Sequence, residues 1–277
     1  MNFGLNKFNN LTQRIIAGVI GGALVIGMVV MNEWTYFALF FAICLLALRE
    51  FFNLLKAAEI KANKYFGITA GMVIYIAIFL IEKKIIPFNY YFLIFPFLFL
   101  LFLIELFQHN EKPFLNIAFT FLGIIYIAFP FALLHSCAIH LGEYNHHIIL
   151  GILFLLWAND VGGYVAGMML GKNKLFMRVS PKKTWEGSTG GGLLSVFTAL
   201  TLSVIFRELN PFQWLVMSLI IIVVGSYGDL VESLLKRSLS IKDSGEAIPG
   251  HGGFLDRFDG LLLSTPFIAA FLKMFYL

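Results

Sequence analysis

Asp256 and Asp259, three residues apart in "GGFLDRFDG", share one face of any helix that starts there. With no His or Cys cluster beside them, two such carboxylates form a hard oxygen site that suits magnesium held together with substrate phosphates. The general preference for acids at a helix start would also place them there. Upstream, "SYGDLVESLLKRSLSIKD" brings Asp229, Ser233, Lys236 and Arg237 onto one face if helix runs through it, so a carboxylate is aligned with cations one and two turns on. Between the two stretches, Pro249, Gly250, Gly252 and Gly253 break the helix around His251, a lone histidine that is weak support for a ligand. Arg257, between the two aspartates, suits a lipid headgroup or a structural partner. Lys236 to Gly260 holds 8 charged residues in 25, in a chain that is only 13% charged.

A second cluster is "VSPKKTWEGSTGGG". Pro181 suits a turn or a helix start, Lys182 and Lys183 form a paired cationic point, and Thr184 and Glu186 add a hydroxyl and a carboxylate. Gly187, Gly190, Gly191 and Gly192 allow close backbone approach at the head of the next helix. Physically this describes a phosphate-binding corner without the Walker A spacing; an ordinary basic loop capped by a glycine-rich helix start fits the same residues. A third polar feature is Asp160, after Asn159 in "LLWANDVGGYVAGMMLG". An aspartate deep in a spanning helix costs about 2.5–3.5 kcal/mol, so it must face a bundle interior or a cavity. Gly163, Gly167 and Gly171 make a smooth stripe beside it, where another helix can approach. Asp160 is then either interhelical glue or part of a polar site. Together, a hard oxygen site and phosphate-binding cations suit phosphoryl or nucleotidyl transfer, which works by positioning and charge neutralisation.

The elements that must carry these groups are membrane helices. The chain has 277 residues, is 59% hydrophobic and contains 31 Phe, against about 45–50% apolar usage in soluble domains. It reads as an all-α polytopic membrane protein of about nine transmembrane helices, near 14–31, 34–49, 65–82, 90–107, 116–138, 148–170, 188–206, 212–229 and 260–276. The second run is short and suits a tilted or partly interfacial helix. The first follows Lys7 and Arg14 as a signal peptide would, but lacks a small-x-small cleavage site and reads as a retained span. If all nine cross, one side keeps only Lys83, Lys84, Arg207 and Lys273, and the other holds the remaining 16 of 20 basic residues. The positive-inside rule puts that side, with the amino terminus and both long polar connections, in the cytoplasm. The basic residues sit mainly at membrane boundaries, where anionic lipid accounts for them, and nucleic-acid binding is excluded. Cys44 and Cys137 have no metal-ligand spacing and read as packing residues. Residues 1–150 form an amino-terminal transmembrane region and 151–277 a carboxyl-terminal catalytic one.

The pattern from Ser233 through Arg237, Lys242, Asp243, Pro249, His251, Gly252, Gly253, Asp256 and Arg257 to Asp259 resembles the signature of the phosphatidate cytidylyltransferase (CDP-diacylglycerol synthase) family, with no member missing. "SPKKTWEG", Ser180 to Gly187, is similar to a second family motif. Asp160 followed by Tyr164 resembles a looser third, with Gly163 in place of the usual small residue. The resemblance covers about 155–277 and implies a magnesium-dependent reaction of CTP with phosphatidate that yields CDP-diacylglycerol and pyrophosphate. It implies metal ions held by Asp229, Asp256 and Asp259, a cationic clamp of Lys182, Lys183, Arg237 and Lys242, and positioning roles for Asp243, His251 and Arg257. Asp160, Ser180, Thr184, Glu186 and Ser233 are then expected to bind substrate. It further implies an integral protein of the bacterial cytoplasmic (inner) membrane in phospholipid biosynthesis, its active site on the cytoplasmic face, and a homodimer.

Three rival classes remain. A CTP-dependent polyprenol or dolichol kinase shares the lipid-interface logic and is separated by its product. A CDP-alcohol phosphatidyltransferase would carry a D-G-x-x-A-R run with two later aspartates, which is absent. A transporter would spread polar residues over several spans, whereas here they gather around the sixth span and two loops.

Overall fold

The computed structural model describes residues 10–239, 241 and 253–275, with side chains from residue 18 onward. Among these residues α-helix dominates, with two short hairpins. The helices are α1 (Asn10–Met31), α2 (Glu33–Ala57), α3 (Lys64–Glu82), α4 (Ile94–Phe107), α5 (Pro113–Gly123), α6 (Phe129–Ala138), α7 (His146–Leu170), α8 (Trp185–Ile205), α9 (Pro211–Ile220), α10 (Ser226–Ser238) and α11 (Leu255–Phe275). A 3-10 turn, Phe88–Leu93, leads into α4. π-helical segments, Ile124–Ala128 and Ile221–Gly225, fuse α5 to α6 and α9 to α10. Eight of the resulting helical stretches are long and apolar enough to cross a membrane, and Gly18–Met31 of α1 adds a shorter apolar helix. The chain is an integral membrane protein of the all-α class, as its composition predicts.

The second span is longer than its apolar run. α2 covers 25 residues, from Asn32, which caps it through a capping box, to Ala57. The charges at Arg49 and Glu50 end the apolar run in the sequence but not the helix, because Glu50 is buried against α11. The core is built of large rings, among them Tyr36, Tyr75, Phe40, Phe79 and Trp214, each fully enclosed. Gly151 makes room for the last of these: a Cβ there would land on the Trp214 ring.

Contacts fix which connections share an end. At one end Lys83 Nζ meets Glu33 Oε2 at 2.7 Å and donates to the Gly142 carbonyl at 2.8 Å. Lys273 pairs with Glu82 at 2.9 Å, and Gln213 donates to the Phe275 carbonyl at 3.2 Å. Gly142 sits in the two-residue turn of the hairpin β1 (Ile139–His140) and β2 (Glu143–Tyr144), where Leu141 and Gly142 have φ of 52° and 95°. Positive φ at both positions is the turn geometry that matches the twist of a tight hairpin. Among the described residues the connections with few basic residues therefore meet at this end and those rich in Lys and Arg lie at the other, the same grouping that the charge count draws.

Candidate active site

At the basic end, α10 and α11 cross on glycine. A Cβ added at Gly228 would come within 2.5 Å of the Asp259 carbonyl oxygen and 2.7 Å of the Gly260 Cα. The neighbours of these glycines, Asp229 and Asp259, are therefore forced close together, and Glu232 lies one turn along α10. Carboxylate oxygens of Asp229, Glu232 and Asp259 all fall within 4.8 Å of one another. Three anionic oxygens at that spacing, one from a residue as buried as Glu232 at 1% exposure, repel one another unless a cation compensates them. The donor set fits a hard divalent ion such as magnesium. Asp259 also accepts a bond from the Gly260 amide at 2.6 Å, and Asp229 one from Ser233 at 3.3 Å.

Lysines approach this group from two sides. Lys183 Nζ lies 2.9 Å from Asp229 Oδ2 and donates to the Ser226 carbonyl at 2.9 Å. Lys236 bridges Glu232 at 3.1 Å and Asp256 at 2.6 Å. Asp256 thus meets the three clustered carboxylates through Lys236 and through a side-chain contact with Glu232, rather than forming with Asp259 the primary pair that their spacing suggests. The first turn of α11 faces two partners at once.

The corner around Ser180 is a strand, not a turn or a helix start. β3 (Lys174–Phe176) pairs antiparallel with β4 (Ser180–Thr184), and Pro181 lies in this two-stranded hairpin, where an edge position tolerates it. Because successive strand residues point to opposite faces, Lys182 is exposed while Lys183 turns to Asp229, so the two lysines do not act as one cationic point. Thr184 is buried and caps α8 by accepting the Gly187 amide at 3.2 Å. Glu186 accepts the backbone amides of Lys172 and Asn173 at 3.1–3.2 Å and the Asn173 side chain at 2.7 Å. The oxygens of both residues are occupied in holding their own corner. The glycines of α8 are engaged as well, since a Cβ on Gly187, Gly190 or Gly191 would strike α7 at Gly163, Ala166 or Asn159. The stripe read on α7 thus meets its counterpart on α8, and beside this close pair the Asn159 side-chain amide donates to Ser226 Oγ at 3.2 Å.

Asp160, Arg257 and Asp259 line one cavity of about 530 Å³, whose other walls are mostly apolar. Arg237 is exposed on α10. Lys242, Asp243 and His251 lie outside the described residues.

Two contributors escaped the sequence reading. Glu232 sits between Asp229 and Lys236 and looks like an ordinary i,i+4 partner of that lysine. Glu50, on α2, accepts the Phe254 amide at 2.7 Å, and a Cβ on Gly253 would land on its carboxylate. It fixes the start of α11 from some 200 residues away, a distance no local spacing reveals. Glu50→Ala should leave that buried amide without its acceptor and lower turnover about tenfold, with a melting temperature several degrees lower, whereas Glu50→Gln, which keeps an acceptor, should retain most of both. Turnover and thermal unfolding in detergent check this.

A family model described as the cytidylyltransferase family matches residues 12–275. The phosphatidate cytidylyltransferase of Bacillus subtilis (strain 168) is 32% identical over 96% of this chain and 99% of its own length. Proteins of the same name from Staphylococcus saprophyticus and Staphylococcus aureus (strain COL) are 38% and 37% identical over 57% of this chain and 60% of theirs. The match spans the amino-terminal helices, which carry no recognised motif, as well as the clustered carboxylates and lysines. The chain belongs to the cytidylyltransferase family.

Proposed function

We infer that this chain is a phosphatidate cytidylyltransferase, a nucleotidyltransferase that joins CTP to phosphatidate and releases pyrophosphate. Similarity to the Bacillus subtilis enzyme along nearly the whole of both chains carries this reading. The site supports it: carboxylates and lysines converge beside the polar end of a cavity whose other walls are apolar, where a lipid phosphate and a water-soluble nucleotide can meet. The basic end of the bundle is assigned to the cytoplasm, the source of CTP, and the membrane to the bacterial inner membrane.

In the reaction, a phosphate oxygen of phosphatidate forms a bond to the α-phosphorus of CTP as the bond from that phosphorus to the bridging oxygen breaks, and the electron pair leaves with pyrophosphate. The lipid phosphate is already anionic at neutral pH, so no strong base is required. Asp229, Glu232 and Asp259 are assigned to hold magnesium, with Asp256 joining them as the fourth carboxylate of the same end. Bound magnesium would neutralise charge on the triphosphate and the departing pyrophosphate. Lys183 positions Asp229 and lends its charge to the phosphates, Arg237 and Lys242 complete the clamp, and Lys182, on the opposite face of the strand, adds only longer-range positive charge. Asp160, Ser233 and Arg257 are assigned to the polar wall, and Asp243 and His251 to positioning. Ser180, Thr184 and Glu186 act by shaping the hairpin that presents Lys183.

The test is an assay in detergent micelles with phosphatidate, magnesium and CTP labelled at the α-phosphate. Label should enter a lipid that co-migrates with CDP-diacylglycerol, vanish on chelation with EDTA and return with added magnesium. Label that reaches lipid only from the γ-phosphate, with a polyprenol acceptor, would overturn the reading in favour of a kinase.

A further inference from the structure

The cavity of about 530 Å³ has two unlike ends. Asp160, Arg257 and Asp259 form the polar one, and Asp259 also belongs to the carboxylate group, so the cavity is continuous with the proposed site. Beyond them the walls are apolar: Leu39 of α2, Leu153 and Trp157 of α7, and one face of α1 that carries Gly18, Gly21 and Gly22. Gly21 and Gly22 differ from the glycines at the α7–α8 crossing. At Gly191 a Cβ would lie 2.5 Å from the Asn159 carbonyl, so the glycine is needed for helix packing. Among the described residues it would meet nothing within 4 Å at Gly21, and at Gly22 only the Trp157 ring at 3.9 Å. Glycine disfavours helix relative to alanine, and close packing does not require it at these positions. What the missing side chains do is leave the cavity open.

We propose that this cavity seats one acyl chain of the diacyl substrate, its phosphate at the Asp160–Arg257–Asp259 end, and that the α1 face at Gly18, Gly21 and Gly22 sets the length of chain accepted. The proposal rests on the phosphatidate reading and adds to it a specificity determinant. The Arg257 guanidinium supplies the positive charge that an anionic headgroup needs at the mouth. The volume falls within the range of about 300–1,000 Å³ for small-molecule sites. At roughly 30 Å³ for a water-sized group, it holds on the order of 20 methylene-sized units, the size of a single long chain. The second chain then stays among the membrane lipids.

The experiment measures kcat/KM for CMP transfer to a short-chain (dioctanoyl) and a long-chain (dioleoyl) phosphatidate. It compares the wild-type chain with Gly21→Leu, Gly22→Leu and the double variant Gly22→Leu/Trp157→Ala. Each leucine should lower long-chain kcat/KM relative to short-chain by about tenfold or more and leave the KM for CTP unchanged. The double variant, with the facing ring removed, should regain most of the long-chain activity. A chain that had merely misfolded would lose both lipids and would not be rescued. Unchanged long-to-short ratios in both leucine variants, or equal losses on both lipids with no rescue, would overturn the assignment of the cavity. A wild-type chain that makes CDP-diacylglycerol from neither lipid would instead overturn the functional reading beneath it.

Discussion

Asparagine in place of Asp229, and separately in place of Asp259, should reduce CMP transfer by about 10²–10³-fold, the scale on which loss of one transition-state charge contact is felt. Each substitution keeps the size of the side chain and removes one unit of negative charge from three carboxylates whose oxygens lie within 4.8 Å of one another. With less charge to hold a divalent cation, the magnesium concentration for half-maximal rate should rise. Asp229→Asn also weakens the 2.9 Å pair with Lys183, while Asp259→Asn retains an oxygen to accept the Gly260 amide. Both proteins should insert and purify normally, because the cluster contributes charge repulsion to the fold rather than packing. Steady-state transfer from α-labelled CTP over a magnesium titration checks this; near-normal rates at ordinary magnesium would remove that residue from the metal site.

A single methyl group should do comparable damage through geometry alone. Gly228→Ala places a Cβ within 2.5 Å of the Asp259 carbonyl oxygen, a backbone atom that cannot turn aside, so α10 and α11 must separate or slide. A misplacement of about 1 Å in a site that works by orientation costs about a hundredfold in rate. The expected result is a loss of that order, together with a melting temperature lower by several degrees. Substituting Gly27 with Ala, where a Cβ meets nothing within 4 Å among the described residues, should leave both unchanged. Wild-type turnover in Gly228→Ala would show that the closeness of the two helices does not position the carboxylates.

Much of this architecture was legible in the sequence because the membrane imposes lengths and charge asymmetry that survive in composition. The runs of apolar residues predict the helices, and the scarcity of Lys and Arg beside Lys83, Arg207 and Lys273 predicts which connections share an end. What escaped was whatever depends on tertiary packing. α2 outruns its apolar stretch because Glu50 is buried by a turn far along the chain. Lys182 and Lys183 look like one cationic point until the strand sends them to opposite faces. The glycines after Trp185 suit a phosphate loop equally well, and only their fit against α7 shows what they accommodate. Asp256 and Asp259 share a turn, yet Lys236 holds one and Asp229 and Glu232 stand beside the other.

The π-helical segment Ile221–Gly225 acts as a phase correction in a helix that serves two masters. Before it, Trp214 and Met217 are locked into the core; after it, Asp229, Glu232 and Lys236 must face α11 and the hairpin. One residue of helix is about 100° of rotation, and a π turn absorbs one extra residue within a continuous helix. Deleting any one residue between Ile221 and Gly225 would swing the acidic face by about that angle relative to the anchored half. The register of the whole site is therefore stored in a count of five residues, of which Ile221 and Gly225 are also packed in the core.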